Sequence, residues 1–107
     1  MAKITVEFAL TKSKDSDERV TLSQGDSTIV LNFDNDKAAA SLNEDSLYFV
    51  RWYFLGAEGD EFNVTWKYGN SSDALINPFK LDGRYARPYP GGKWVDDGTT
   101  GFQTPVA

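Results

Sequence analysis

An alternation of apolar and polar residues is the main pattern along this chain. From Ile4 to Leu10 every second residue is apolar, and most of the residues between them are polar. A period of two predicts a half-buried β-strand, because successive side chains of a strand point to opposite faces. Similar short segments recur along most of the chain, so the pattern predicts an all-β fold.

A second alternating segment, residues 20 to 33, is interrupted by Gly25-Asp26. Glycine in the first central position suits a two-residue type II′ turn. The segment therefore predicts a β-hairpin in which Leu22 lies opposite Ile29.

Residues 37 to 42 form the only stretch with a helix-forming composition, Lys-Ala-Ala-Ala-Ser-Leu. Alanine, leucine and lysine all have high helix propensity. The composition predicts at most a turn or two of helix, where the chain crosses from one sheet to the other.

Two aromatic-rich segments, residues 47 to 55 and 61 to 69, flank a polar loop at residues 56 to 60. Each segment has an apolar row at alternating positions, and the rows coincide if the segments pair with Phe54 opposite Phe62. The pattern therefore predicts one long hairpin within a sheet, with both rows buried. Its outer face would combine Phe49, Arg51 and Tyr53 with Asn63, Thr65 and Lys67.

About seven short strands separated by turn residues are typical of a two-sheet antiparallel β-sandwich, with a barrel as the second choice. The sequence thus predicts a single domain over residues 1 to 107, of the immunoglobulin-like or jelly-roll type. The expected core consists of Ile4, Val6, Phe8, Val20, Leu22, Ile29, Leu31, Phe33, Val50, Trp52, Phe54, Phe62, Val64 and Trp66.

The chain has 107 residues, of which 40% are hydrophobic and 14% aromatic, enough for one compact core. A net charge of −5 repels phosphate backbones and anionic lipids, so we expect neither nucleic acid nor membrane as a partner. The first residues form no unbroken apolar run, so no signal peptide is predicted. Together with the absence of cysteine, this favours a soluble, cytoplasmic protein.

The chain contains neither histidine nor cysteine. Histidine is the usual general base at neutral pH and a common zinc ligand, and both residue types serve in nucleophilic catalysis. Paired carboxylates remain as acid–base groups, but glycosidases that use them need a cleft for which a sandwich of this size has little room. We therefore predict that the protein is not an enzyme and uses no cofactor.

Acidic residues cluster near several predicted turns, for example Asp15, Asp17 and Glu18. Calcium needs roughly six to eight converging oxygen ligands, and no cluster has the spacing of an EF-hand loop. Solvated turn carboxylates are the simpler interpretation, so no metal site is predicted.

The segment from Arg84 to Trp94 is dense in aromatic residues, arginine, proline and glycine. Proline restricts the backbone, and tyrosine, tryptophan and arginine are enriched at binding hot spots. Two interpretations remain open: a stiff recognition loop, or a rim loop whose aromatic side chains close the end of the sandwich. The candidate binding residues of this loop are Arg84, Tyr85, Arg87, Tyr89 and Trp94.

Two further candidates, Arg51 and Tyr53, belong to the outer face of the predicted aromatic hairpin. Aromatic rings beside hydrogen-bond donors can bind a protein edge or a sugar ring. The alternative is that a carboxy-terminal segment covers the rings of this face and leaves Arg51 to extend over one of them.

These residues lead to two functional hypotheses. The first is a non-catalytic module that binds a protein partner, or a second copy of itself, through the loop from Arg84 to Trp94, the hairpin face or an open sheet edge. The alternative is a carbohydrate-binding module or lectin in which Tyr85, Tyr89 and Trp94 stack on sugar rings.

Overall fold

Two antiparallel β-sheets make up the protein, whose computed structural model describes residues 2–13 and 16–107. The strands of this part of the chain are β1 (Lys3–Lys12), β2 (Asp17–Gln24), β3 (Ser27–Val30), β4 (Lys37–Asn43), β5 (Leu47–Gly56), β6 (Glu61–Tyr68), β7 (Ser71–Lys80), β8 (Arg87–Tyr89) and β9 (Lys93–Gln103). One sheet has the order β4-β1-β6-β7 and the other β3-β2-β5-β9-β8. The predicted all-β sandwich is confirmed, with nine strands instead of about seven. Within the described ranges, no helix is long and apolar enough to cross a membrane.

The core lies between the two sheets and is filled by the inward residues of alternating strands. β1 shows the alternation most regularly, from Ile4 to Leu10. The predicted core residues are buried, except for four that are half-buried and pack against the core: Ile29, Phe33, Trp52 and Trp66. Further buried residues were not predicted as core, among them Leu42, Leu75, Ile76, Leu81, Val95 and Phe102.

The hairpin predicted around Gly25 is confirmed. β2 pairs with β3 in the expected register, with Leu22 opposite Ile29. Gly25 has a φ of 57°, a left-handed conformation that Asp26 does not share, as a type II′ turn requires. The turn residues therefore fix the register of these two strands.

The long hairpin predicted for β5 and β6 is wrong. β5 pairs with β2 and β9 in the five-stranded sheet, whereas β6 pairs with β1 and β7 in the other. The two apolar rows do meet, but across the sandwich: the rings of Phe54 and Phe62 stack with centroids 4.2 Å apart. Two matching apolar rows can be buried together either on neighbouring strands of one sheet or on strands of two sheets that pack face to face. The sequence pattern therefore does not distinguish between these two arrangements. The predicted composite outer face does not form, because its two halves, represented by Arg51 and Lys67, lie on different sheets.

The loop at residues 56–60 carries the chain across the gap of about 10 Å between the sheets. The backbone N–H of Gly59 donates to the carbonyl of Leu81, and the N–H of Leu81 donates to the carbonyl of Asp60, both at 2.8 Å. The Asp60 carboxylate accepts the N–H of Ala57 at 2.8 Å. Because Leu81 is itself fully buried, these bonds hold the crossing in place.

The helical turn predicted at residues 37 to 42 is wrong. This segment belongs to β4, which pairs with β1 and places Ala40 opposite Val6 and Leu42 opposite Ile4. Ala40 and Leu42 are buried, so burial on a sheet overrides their helix propensity. The chain crosses between the sheets before this segment, between β3 and β4, and not within residues 37 to 42 as predicted.

A tight turn leads into β4. Asn35 and Asp36 both have positive φ, 52° and 64°, and Asp34 and Lys37 exchange backbone hydrogen bonds of 2.8 and 3.1 Å on either side of them. This is the geometry of a two-residue type I′ turn, whose central residues are both left-handed. Asparagine suits the first position and glycine the second, whereas aspartate adopts the left-handed conformation at a steric cost.

We expect Asp36→Gly to stabilise the protein by about 0.5 kcal/mol. Glycine removes the steric cost of the left-handed conformation, and this gain exceeds the loss from the greater backbone entropy of glycine in the unfolded chain. Asp36→Ala keeps a Cβ and is expected to lower stability. Urea unfolding followed by circular dichroism measures both variants. A lower unfolding midpoint for Asp36→Gly than for the wild type would contradict this account of the turn.

Each edge strand has features that limit pairing with another chain. β3 and β8 are only four and three residues long, and β7 contains Pro78 and shifts in register against β6. At β4, the backbone of Lys37 is bonded to that of Asp34, and the N–H of Asn43 donates to the Tyr48 hydroxyl at 2.8 Å. Short strands, proline and irregular register are devices that keep sheet edges from pairing with other chains.

Trp52 packs against a glycine on the neighbouring strand. In the register of β5 and β9 it faces Gly98, and a Cβ built on Gly98 would fall 2.5 Å from Cζ2 of the indole. The indole N–H donates to the Asp96 carboxylate at 2.9 Å, which fixes the ring in this position. Gly98 thus provides room for the indole because it has no side chain.

Gly98→Ala is expected to destabilise the protein by about 1–3 kcal/mol, because the indole must leave its position or adopt a strained rotamer. The change should also break the bond between Trp52 and Asp96 and shift tryptophan emission. Gly101→Ala, on the same strand, is the matched control.

A Cβ on Gly101 would lie 3.4 Å from its nearest neighbour, so the control should stay within about 0.5 kcal/mol of the wild type. Urea unfolding monitored by fluorescence compares the two variants. Equal losses in both would contradict the packing of Trp52 on Gly98.

Candidate functional site

The outer surface of the five-stranded sheet brings several of the predicted binding residues together. Its middle strand, β5, carries Arg51 and Tyr53, each flanked by one residue of β2 and one of β9. The edge strand β8 adds Arg87 and Tyr89. We call this surface the arginine–aromatic face; its members are Arg19, Thr21, Phe49, Arg51, Tyr53, Arg87, Tyr89, Asp97 and Thr99.

Aromatic side chains are accessible on this face. The exposed fractions are 61% for Phe49, 36% for Tyr53 and 43% for Tyr89. The carboxy-terminal strand β9 lies beside β5 and not over it, so Phe49 and Tyr53 stay accessible. Grouped exposed apolar side chains are typical of interaction surfaces.

A shallow groove runs across the face. It has two adjoining parts of about 380 and 390 Å³, and Thr21, Arg51 and Thr99 line both of them. The first part extends to Arg19 and the second to Phe49. Arg51 therefore occupies the centre of the groove.

Three of the chain's four arginines lie on this face, although the chain as a whole has a net charge of −5. One of them is paired: Nη1 of Arg87 donates to Oδ1 of Asp97 at 2.9 Å. Of the ion pairs formed within residues 2–13 and 16–107, none includes Arg19 or Arg51. Among the described residues the face thus presents two guanidinium groups that form no direct ion pair, although the positive charge of Arg51 contributes to lowering the pKa of Asp97.

The pair of Arg87 and Asp97 affects the charge of both groups. The hydrogen bond and positive charge of Arg87 lower the pKa of Asp97, and Asp97 in turn raises the pKa of Arg87. Partial burial raises the pKa of Tyr53, and the neighbouring Tyr89 hydroxyl raises it further. At neutral pH Asp97 is therefore ionised, and Tyr53 is a neutral phenol that can donate a hydrogen bond.

Asp96, which adjoins the face, is the carboxyl that accepts the Trp52 N–H. Partial burial raises the pKa of Asp96, the hydrogen bond from Trp52 opposes this shift, and the negative charge of Asp97 adds to it. A raised pKa means that the folded protein binds this proton more tightly than the unfolded chain does. Ionisation of Asp96 at neutral pH therefore lowers stability, and this loss disappears as the pH falls through its pKa.

Asp96→Asn is expected to raise Tm at pH 7 by about 1–2 °C, because the amide keeps an acceptor for Trp52 and removes the charge. The gain should shrink as the pH is lowered from 7 toward the ordinary pKa of aspartate, about 3.9, because the wild-type carboxyl takes up its proton within this range. Calorimetry on both proteins across this pH range measures the difference. A gain that grows toward acid pH would contradict the raised pKa.

The other predicted binding residues lie away from this group. Arg84 and Tyr85 belong to the connection between β7 and β8, where the Arg84 guanidinium lies 5.8 Å from the centre of the Tyr85 ring. Tyr85 is 55% exposed. Trp94 is half-buried and packs against the core, so its ring is less accessible than those of the face.

Four members of the face were not predicted: Arg19, Thr21, Asp97 and Thr99. The alternation of β2 places Arg19 and Thr21 opposite the buried Val20 and Leu22, and this signal is present in the sequence. The sequence pattern assigned β6 as the neighbour of β5, which hid the contribution of β2 and β9. These four residues could be assigned to the face only once the order of the strands was known.

A larger depression, of about 900 Å³, lies on the outer surface of the four-stranded sheet. Small side chains such as Ala9, Ala39 and Ala74 form much of its lining, and Lys37 and Lys67 lie among them. Small side chains offer little contact area and few hydrogen bonds to a ligand. The arginine–aromatic face is therefore the stronger candidate.

The acidic clusters near the turns do not assemble into a metal centre in the described part of the chain. Among residues 2–13 and 16–107, no three acidic side chains converge as metal ligands would. Asp15 lies outside the described residues, and Glu18 forms an ion pair with Lys12 at 2.7 Å.

Similarity to known proteins does not extend these observations. No family model, curated protein or solved structure shows significant similarity to the chain. Function is therefore inferred from the geometry of the face.

Proposed function

We propose that the protein is a non-catalytic binding module that recognises a protein partner through the arginine–aromatic face. The proposal is carried by the juxtaposition of exposed aromatic rings with arginine on one sheet, at Phe49, Arg51 and Tyr53. Tyrosine and arginine are enriched at the hot spots of protein interfaces, where a few side chains contribute most of the binding free energy.

The backbone of the face supports the same proposal. β5 is paired on both sides, by β2 and by β9, so its outward side chains start from fixed positions. A preorganised surface loses less conformational entropy on binding than a mobile loop does. The groove is also shallow and open, which suits a protein surface better than a small substrate that needs enclosure.

A carbohydrate-binding module is the second candidate. Tyr53 and Tyr89 are neighbours on the face, and Arg87 and Asp97 form a hydrogen-bonded pair beside them. Tyrosine rings can stack on sugar rings, while charged groups bind hydroxyls. Binding of this kind would depend on the two tyrosines and not on Phe49.

The double variant Phe49→Ser/Tyr53→Ser tests the proposal. Affinity capture from source-cell extract with the wild-type protein identifies partners, and sedimentation velocity detects a second copy of the chain as partner. We expect the double variant to weaken any such association by about tenfold or more, because it removes two exposed aromatic contacts.

Tyr85→Ser is the matched comparison, because it removes an exposed tyrosine from the connection between β7 and β8. It should retain the association. Loss with Tyr85→Ser together with retention in the double variant would assign binding to that connection and contradict the proposal. Glycan binding that survives Phe49→Ser but not Tyr53→Ser would favour the second candidate.

A further inference from the structure

We infer that the arginine–aromatic face takes an extended peptide segment with an acidic side chain at its centre and an apolar side chain two positions to either side. The inference rests on the proposed function and specifies the chemistry of the partner. It follows from the spacing, the charge and the hydroxyl groups around Arg51.

The spacing comes from β5. Phe49, Arg51 and Tyr53 are alternate residues of one strand, so they point to the same side at intervals of about 6.6 Å. Alternate side chains of an extended peptide repeat at the same interval. A segment lying along β5 can therefore place an apolar side chain at Phe49, an acidic one at Arg51 and a second apolar one at Tyr53.

The charge at the central position comes from Arg51 together with Arg19. These residues lie on adjacent strands, two positions apart in register, which places their Cβ atoms about 7 Å apart. Arginine binds carboxylates through paired hydrogen bonds, and two long arginine side chains at this separation can reach one carboxylate. Asp97 is a weak competitor for them, because its carboxylate already accepts a hydrogen bond from Arg87.

Hydroxyl groups surround the same position. Thr21 and Thr99 lie on either side of Arg51 in the register, and both line the two parts of the groove. Their hydroxyls can bond to carboxylate oxygens or peptide carbonyls of a ligand. Along β5 the groove thus has a polar centre at Arg51 between the rings of Phe49 and Tyr53, which matches a ligand with the same order of groups.

A long polyanion fits this face less well than a single acidic side chain. The net charge of −5 repels phosphate or sulfate groups that extend beyond the groove. Asp97 adds a negative charge on the face itself. One carboxylate at the centre of the groove, by contrast, lies beside both Arg51 and Arg19, and the nearby charge of Asp97 is offset by its pair with Arg87.

The probe for this site is the peptide acetyl-Ser-Phe-Ser-Glu-Ser-Phe-Ser-amide, titrated into ¹⁵N-labelled protein at low salt. We expect amide shifts in β2, β5 and β9 and a Kd of about 1 mM or tighter. Glutamine in place of glutamate should weaken binding about tenfold, because the charge-assisted hydrogen bonds are lost. Exchanging the glutamate with the serine after it should weaken binding by a similar factor, because the acid is then out of phase with Arg51.

Arg19→Gln/Arg51→Gln is the corresponding change in the protein and should weaken binding of the glutamate peptide about tenfold. Lys37→Gln/Lys67→Gln removes the same charge from the other sheet and should leave the affinity unchanged. Equal affinity for the glutamate and glutamine peptides, or full affinity in the arginine variant, overturns the inference. Binding of a heparin oligosaccharide instead of the peptide, lost in the arginine variant, overturns it in favour of a sulfated glycan.

The outcome also separates this inference from the proposed function. If the glutamate peptide does not bind but Phe49→Ser/Tyr53→Ser still loses its captured partner, only the acidic segment is wrong. If the double variant loses nothing and the peptide does not bind, the face is not the binding surface and both proposals fail.

Discussion

The stacking of Phe54 on Phe62 across the two sheets is the contact on which the rest of the arrangement depends. It requires the chain to change sheets at residues 56–60, and the bonds of that loop to Leu81 hold the crossing in place. Once β6 lies in the opposite sheet, both edges of β5 are open to β2 and β9. The contact that organises the core therefore also determines which residues surround Arg51 on the outside.

Features set by neighbouring residues could be predicted from the sequence. The burial of Ile4 and Leu10 follows from alternation within one strand, and the register around Gly25 follows from a two-residue turn. Local composition did not predict the structure of residues 37–42. The alanines of this segment favour a helix by propensity but fit equally well into a sheet when the segment pairs with β1. Asn35, just before this segment, is a local signal for a β-strand and not a helix, because asparagine is common in the type I′ turns that connect strands.

The order of strands could not be predicted, because it depends on contacts between distant segments. The rows of β5 and β6 match equally well side by side and face to face, and no residue in either row distinguishes the two. The candidate site was affected in the same way. Tyr89 and Trp94 are both aromatic residues of the same segment rich in proline and glycine. Tyr89 nevertheless lies on the exposed face, whereas Trp94 packs against the core.

The position of β5 between β2 and β9 has a consequence for folding. Each residue of β5 is paired with partners far away in sequence, as Trp52 is with Val20 and Gly98. Loops of this length must close before the pairs can form, and all-β proteins with such contacts fold in roughly milliseconds to seconds. The groove around Arg51 is thus absent from the nascent chain until β9 has been synthesised and has paired. A partner that binds this face can therefore recognise only the folded protein.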